Sequence, residues 1–305
     1  STEEENISLG VLYWSSEPIK ILLQEIRDAD CKEGARETTI YYPFNTNRVP
    51  GFWREFLRKT SRPWESVVLD EKKKQSVLDA LDHFLHPDTE KRHVERGIPY
   101  HLGLLFYGPP GTGKTSLAQA IAAYYGLPIY VMPLADCDIT DTTFPMFMRT
   151  LPKRCVLLFE DIDSAGLISN EEAKSRKRTD PAQSEGLTRT GFINGIDGIV
   201  SPHGYIYIMT TNHRDKLDAA MTRAGRVDLT LEIPLASKDN ARQMFTRMYS
   251  NHTEINAMAD LFADAIPENV HSAADLQGFL MSIEDPAQAT RNVREWAEAK
   301  MKAKE

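Results

Sequence analysis

Apolar residues cluster along this chain in two ways. Five short runs, His101–Tyr107, Pro128–Leu134, Cys155–Phe159, Tyr205–Met209 and Leu229–Ile233, are apolar at almost every position. Such runs suit parallel strands covered on both faces. The stretches between them read as amphipathic helices, and β and α elements in alternation predict a doubly wound sheet. Upstream, Ser16, Glu17 and Pro18 mark a helix start; Ile19, Leu22, Leu23 and Ile26 fall on one face, and Gly34 ends the helix. Glu37 to Phe44 predicts a strand, and Asn45 to Gly51 a turn. From about Leu235 to Glu284 the pattern is mostly helical, and Asp285 to Glu305 predicts one more helix with a charged tail. No internal repeat or low-complexity tract interrupts this order.

Composition narrows the classes. The 305 residues suffice for one large or two modest domains, and 41% hydrophobic with 26% charged residues is ordinary for a globular protein. No apolar run reaches the roughly 18 residues needed to cross a bilayer, and the acidic start Ser1 to Asn6 carries no leader pattern. A net charge of -8 and a pI of 5.6 argue against a general nucleic-acid binder, which needs a basic surface to displace counterions. The short basic run Lys174 to Arg178 reads as a solvated loop. Cys31, Cys137 and Cys155 form no CxxC pair, and the eight His residues show no metal-ligand spacing, so reduced thiols are the expectation.

The chemistry begins after the first apolar run. Gly108-Pro109-Pro110-Gly111-Thr112-Gly113-Lys114-Thr115 fits GxxxxGK[ST], with a strand before it and a helix opening at Ser116 after it. Glycines let backbone N–H groups close around phosphate oxygens, and the helix N-terminus adds partial positive charge. In such a loop Lys114 neutralises the β and γ phosphates of ATP and the Thr115 hydroxyl ligates Mg²⁺. Glu160, Asp161 and Asp163 follow the strand Cys155–Phe159, where doubly wound sheets place ligands. One acid would hold the Mg²⁺ hydration shell and the next would orient or deprotonate water. The same acids could serve as a strand-to-helix cap, Asp163 above all. The order is Glu then Asp, so the candidate base is one methylene shorter than Glu. Asn212, in Thr210-Thr211-Asn212, either forms a turn or positions the attacking water. Arg223 and Arg226, in Arg223-Ala224-Gly225-Arg226, either satisfy helix carbonyls or reach a neighbour's γ phosphate as arginine fingers. A finger acting in trans requires a head-to-tail assembly, which closes into a ring.

These pieces in this order resemble the AAA family of P-loop ATPases: GPPGTGKT at Gly108–Thr115, LLFEDID at Leu157–Asp163, TTN at Thr210–Asn212 and RAGRVD at Arg223–Asp228. The resemblance covers roughly Pro63 to the C-terminus. It implies three domains: residues 1–62 as a small N-terminal α+β domain, 63–234 as the nucleotide-binding large domain, and 235–305 as a helical lid. Ser272 to Leu276 is similar to the lid-helix start whose small residues lie near the nucleotide. A narrower resemblance rests on RPWESVVLD (Arg62–Asp70), RGIPYHLGLLFYGPPGTGKTS (Arg96–Ser116), GFINGIDGIVS (Gly191–Ser201), TTNHRDKLDAAMTRAGRVDL (Thr210–Leu229) and DLQGFLMSIEDPAQA (Asp275–Ala289). These look like the mitochondrial AAA chaperones that move the Rieske iron–sulfur protein across the inner membrane during complex III assembly, where the Glu-Asp order is usual.

That resemblance implies phosphate and metal roles for Lys114 and Thr115, metal and water roles for Glu160 and Asp161, a sensor role for Asn212, and trans-acting roles for Arg223 and Arg226. It also implies ATP/ADP and Mg²⁺ as ligands, a homo-oligomeric ring of seven subunits with six as the alternative, and a matrix-facing place at the mitochondrial inner membrane. The family's members carry an N-terminal membrane helix, which residues 1–305 do not contain. The loop Ala135 to Asp141 is acidic and lacks the aromatic-Gly pair of threading unfoldases, which suits a folded protein client; Asp141 could also cap the helix that follows. A chaperone or translocase ring therefore leads over an unfoldase and over a DNA-directed loader. The swapped acids keep open a nucleotide-gated scaffold with little turnover.

Overall fold

The computed structural model describes residues 37–45, 51–134, 139–164, 186–197, 202–223, 225–252 and 255–302. The expected helix from Ser16 to Gly34, most of the turn before Gly51, the run Lys174 to Arg178, Ala135 to Asp138, Cys31 and Cys137 lie outside them. Residues 38–305 form one compact unit.

One seven-stranded sheet organises the described residues. Its strands are β1 (Glu37–Phe44), β2 (Phe52–Thr60), β3 (His101–Tyr107), β4 (Ile129–Val131), β5 (Val156–Phe159), β6 (Tyr205–Thr211) and β7 (Leu229–Glu232). They lie in the order β2-β1-β4-β5-β6-β3-β7. Every pairing from β1 to β7 is parallel, and Leu104 of β3 sits in register with Ile208 on one side and Leu229 on the other. The chain leaves β3, which lies next to the edge strand β7, for β4, three places away. The loop after β3 therefore opens at a topological switch point, where such sheets bind ligands.

Both faces are covered, which is why β3 and β6 are buried along almost their whole length and mostly apolar. On one face Leu104, Phe106, Leu158 and Ile208 pack with Val77 and Leu81 of α1 (Glu71–Leu85) and with Leu117 and Ile121 of α3 (Lys114–Tyr125). Between these helices lies α2 (Pro87–Arg96), closed by Gly97. On the other face Leu105, Leu157, Phe159 and Tyr207 pack with Phe144 and Phe147 of α4 (Thr143–Arg149) and with Phe192 and Ile196 of α5 (Arg189–Asp197). Neighbouring strand residues go to opposite faces, as pleating demands. A four-residue helix, α6 (Ala219–Thr222), precedes β7.

Beyond the sheet, α7 (Lys238–Met248), α8 (Ile255–Ala265), α9 (Ala273–Met281) and α10 (Pro286–Lys302) form a helical bundle. Phe245, Phe262, Leu276, Phe279 and Val293 make its separate core. Ser237 with Asn240 and Ser272 with Asp275 form capping boxes that set the starts of α7 and α9. Among the described residues no helix is long and apolar enough to cross a membrane.

β4, expected over Pro128–Leu134, is a strand only at Ile129–Val131, and two further elements differ from the sequence expectation. β2 was not anticipated: FWREFLRKT carries four charges, and from Arg54 to Thr60 every residue is exposed. It is an edge strand, and charge on an edge discourages unwanted pairing. Trp53 anchors it, donating from Nε1 to the Phe147 carbonyl at 3.0 Å and packing on the Tyr130 ring. β6 runs two residues past Met209, so Thr210 and Thr211 are buried strand residues in register with Phe106 and Tyr107.

Candidate active site

The loop 108–113 leaves the end of β3 and folds back over it. Gly108 has φ 145°, and a Cβ there would stand 2.0 Å from the Ile233 carbonyl oxygen, so the close approach of these two backbones needs glycine. Thr112 closes the loop by donating to the Pro109 carbonyl at 2.9 Å. Pro110 and Gly111 are exposed at its tip, and Gly113 is the N-cap of α3. Ser116 lies in the first turn of α3, half-buried.

Lys114 is buried, and its ammonium donates to the Gly108 carbonyl at 2.8 Å, the Pro109 carbonyl at 2.9 Å and Asn212 Oδ1 at 2.8 Å. Those three acceptors match the three donors of an ammonium. Burial lowers the Lys114 pKa, and the charges of Asp161 and Asp163 oppose that shift. Asn212 turns its other end to Asp161, donating from Nδ2 to Oδ1 at 3.1 Å. One amide thus faces a cation with its oxygen and a carboxylate with its nitrogen, which fixes its orientation chemically. Beside this chain Thr115 donates its hydroxyl to Glu160 Oε1 at 2.8 Å.

Asp161 has φ 44°, the left-handed region that Asp and Asn enter more readily than other non-glycine residues. Its N–H donates to Thr210 Oγ1 at 3.0 Å, and the next N–H, of Ile162, to the Thr210 carbonyl at 3.0 Å. The buried Thr210 therefore holds the turn that presents the acid. Asp163 turns back to the sheet, while the segment it could cap, from residue 165 on, lies outside the described residues. Its Oδ1 accepts from Thr211 Oγ1 at 2.7 Å and from the Asn212 N–H at 3.2 Å, bracing the end of β6 against β5. Burial works against the Asp163 carboxylate, but these hydrogen bonds outweigh it and hold its pKa below the usual carboxylate range.

The arginines separate. Arg223 is exposed at the C-cap of α6. Arg226 is buried, with Nε 3.2 Å from Asp197 Oδ2 and Nη1 donating to the Ala220 carbonyl. The described contacts of the Arg226 guanidinium lie inside its own chain. The expected cap on α4 comes from Asp141's neighbour Thr140, whose hydroxyl accepts from the Thr142 and Thr143 N–H groups at 3.3 and 3.2 Å. The Asp141 carboxylate instead accepts from the Thr188 N–H at 2.7 Å and the Thr188 hydroxyl at 2.8 Å at the start of α5.

Two residues carried no assigned role in the sequence. Asp197 sits at the end of α5, inside the Gly191–Ser201 stretch that carries the resemblance without a role for any one residue. Tyr42 of β1 lines a pocket shared with Phe56, Thr115 and Glu160; burial and then the Glu160 charge raise its pKa. The N-terminus of α9 lies against the loop itself: the Ala274 N–H donates to the Gly111 carbonyl at 3.0 Å. The resemblance implies that Ser272–Leu276 lies near the nucleotide; the contact with Gly111 brings it to the loop that carries the phosphate motif.

The donor set suits a phosphate-bound cation. Among the described residues no three His, Cys, Asp or Glu side chains form a metal cage. Mg²⁺ bound with nucleotide takes only one or two protein oxygens and completes its shell with phosphate and water. The Thr115 hydroxyl and Glu160 carboxylate, 2.8 Å apart, fit that demand.

Comparison with known proteins agrees with this arrangement. Residues 104–235 match the ATPase family associated with various cellular activities (AAA), residues 238–295 the mitochondrial chaperone BCS1-like ATPase lid domain, and residues 1–67 the BCS1 N-terminal region. The chain is 33% identical to the BCS1-B protein of Dictyostelium discoideum over 314 residues, covering 95% of this chain and 66% of that protein. It is 33% identical to the mitochondrial chaperone BCS1 of Danio rerio over 96% of this chain and 69% of that protein, and 32% identical to the human protein of the same name over 95% and 68%. The chain thus spans about two thirds of the length of these relatives. With its AAA domain, its BCS1-type lid and this identity over nearly its whole length, the chain belongs to the BCS1-like family of AAA ATPases.

Proposed function

We propose that this protein hydrolyses ATP with Mg²⁺ and works as a ring-forming chaperone on a folded protein client. The observation that carries the reading is the linked set at the ends of β3, β5 and β6: Lys114 to Asn212 to Asp161, with Thr115 to Glu160 beside it. Loop N–H groups and Lys114 would hold the phosphates, and Thr115 with Glu160 would hold the metal, which when bound neutralises phosphate charge. Asp161, oriented by Asn212, would take the proton of the attacking water. Arg223, exposed beyond α6, is the residue free to serve a neighbouring copy.

The relatives' printed name supports a mitochondrial chaperone, and we extend that to this chain. The Rieske iron–sulfur protein as client, the matrix face of the inner membrane as site, and a ring of seven rather than six rest on the family resemblance. A division at 62/63 and 234/235 into N-terminal, large and lid domains is likewise proposed.

A second reading, a nucleotide-gated scaffold with little turnover, draws on the short Asp161 side chain and its engagement by Asn212. ATP hydrolysis by the purified chain separates the two, measured beside Asp161→Ala and Arg223→Ala, with particle mass determined in ATP. The ATPase reading expects turnover, a fall of about a hundredfold or more in each variant, and a ring mass. Tight ATP binding with negligible turnover in all three makes the chain a scaffold.

A further inference from the structure

The segment that carries Arg223 is held at four points. The Tyr207 hydroxyl of β6 donates to the Arg226 carbonyl. Asp228 pairs twice with Gly103 of β3: its N–H donates to the Gly103 carbonyl at 2.8 Å, and the Gly103 N–H donates to its Oδ2 at 2.8 Å. The Arg226 N–H donates to the Arg223 carbonyl at 3.1 Å, so the two arginines share one turn. Gly103 is itself required, because a Cβ there would stand 2.0 Å from the Arg226 carbonyl oxygen.

The fourth hold is the ion pair. Arg226 is buried, and its guanidinium joins Asp197 at the end of α5 to the Ala220 carbonyl inside α6. At the other end of α5, Arg189 stands 4.0 Å from Asp218, the N-cap of α6. Both ends of α5 are thus tied by opposite charges to the segment 218–226 that contains α6. A buried guanidinium keeps its desolvation compensated only while its partner stays in place, so the pair favours one geometry of the turn. Arg223, three residues before Arg226, points out of this frame as an exposed side chain.

We infer that Asp197 and Arg226 are positioning residues that aim Arg223 at the nucleotide of a second copy of this chain, and that Arg226 does not itself reach that copy. This rests on the ring-ATPase reading above. It differs from a general structural role in one respect: the pair matters to the neighbour's site and not to the site of its own chain.

Subunit mixing tests that asymmetry. Lys114→Ala subunits cannot turn over but keep Arg223; Arg223→Ala subunits keep their site but offer no arginine. Mixed in ATP, the two should recover activity where an intact site meets an intact Arg223. Asp197→Asn or, separately, the conservative Arg226→Lys is then added to one partner at a time, with thermal melts checking that each variant folds. The expected result is that either change on the Lys114→Ala donor lowers recovered turnover by about tenfold or more, chiefly in kcat, while the same change on the Arg223→Ala acceptor leaves it within about twofold. Equal loss from both placements means the pair supports its own chain's site, and the inference fails. No loss from either placement overturns it as well. Absence of any recovery in the parent mixture, with each single variant folded, removes the trans arginine altogether and takes this inference with it.

Discussion

At the residue scale the informative position is Asp161. The sequence shows a base one methylene short; the structure adds a backbone with φ 44° and an N–H held by Thr210. Turning the Cα into the left-handed region changes where the carboxylate is delivered, which supplies a way to offset a shorter arm. Glu in the same place would carry the extra methylene against Asn212 and pay the left-handed penalty of about 1 kcal/mol or more. Asp161→Glu should therefore reduce turnover by about tenfold rather than restore a better base, and Asp161→Asn, which keeps the turn and the shape, by about a hundredfold or more. Initial-rate ATPase assays with ATP affinity measured alongside check this; an Asp161→Glu chain faster than the parent removes the backbone explanation. Asp163 yields a prediction of a different kind. Its pKa is depressed in the fold, so its contribution to stability is complete above the unfolded carboxylate pKa and is lost as pH falls through the folded value. Asp163→Asn should lower Tm at pH 7 and lose less on acidification than the parent, measured as Tm at pH 7 against pH 3.5. Lys114, Thr115, Glu160 and Asn212 were legible in the sequence because motif spacing brings them to neighbouring strand ends. The roles of Asp163 and Asp141 were not, because each accepts hydrogen bonds from residues 47 to 49 positions away, and spacing near the acid says nothing of those partners.

At the scale of elements, continuous burial made β3 and β6 readable to within two residues, while the edge strand β2 escaped because its charged, exposed face carries no apolar run. β3 also contains a polar misfit. His101 is buried against the rings of Tyr205 and Tyr207, and among the described residues neither ring nitrogen has a hydrogen-bond partner. A buried polar group left unpaired costs about 1–3 kcal/mol. Burial lowers the His101 pKa; the charges of Asp228 and Asp197 pull it up, and His203 and His93 push it further down. The folded chain thus holds fewer protons here than the unfolded chain. Stability from the neutral ring is present above the unfolded histidine pKa of about 6.5 and declines as pH falls below it. His101→Leu should leave Tm unchanged or higher at pH 7.5 and shrink the drop in Tm between pH 7.5 and 5.5. An unchanged pH dependence in the variant would assign the acid sensitivity to other groups.

At the scale of the whole molecule, the lid meets the nucleotide loop at one backbone contact, and coupling between them should be measurable there. Gly111 has φ 76°, and its carbonyl accepts from the Ala274 N–H at the start of α9. A Cβ on Gly111 would stand 2.9 Å from Ser272 Oγ and 3.3 Å from Ala274 Cβ. Ser272 cannot simply turn away: its hydroxyl accepts the Asp275 N–H at 3.1 Å and donates to the Asp275 carboxylate at 2.9 Å. Lys300 of α10 reaches the same carboxylate at 3.2 Å, so displacing Ser272 disturbs two lid helices. Gly111→Ala therefore strains the loop and pushes the lid away together. We expect ATP affinity to fall about tenfold, with the fold intact. Ser272→Ala alone should cost about 1 kcal/mol of stability through loss of the N-cap, with a smaller effect on ATP. Combining the two removes the closest clash, so the double variant should bind ATP more tightly than Gly111→Ala by itself, a coupling that a double-mutant cycle reads directly. Additive losses would mean that the lid yields freely to the new methyl group. The 3.0 Å contact would then be a resting place rather than a means by which the lid reports on the loop.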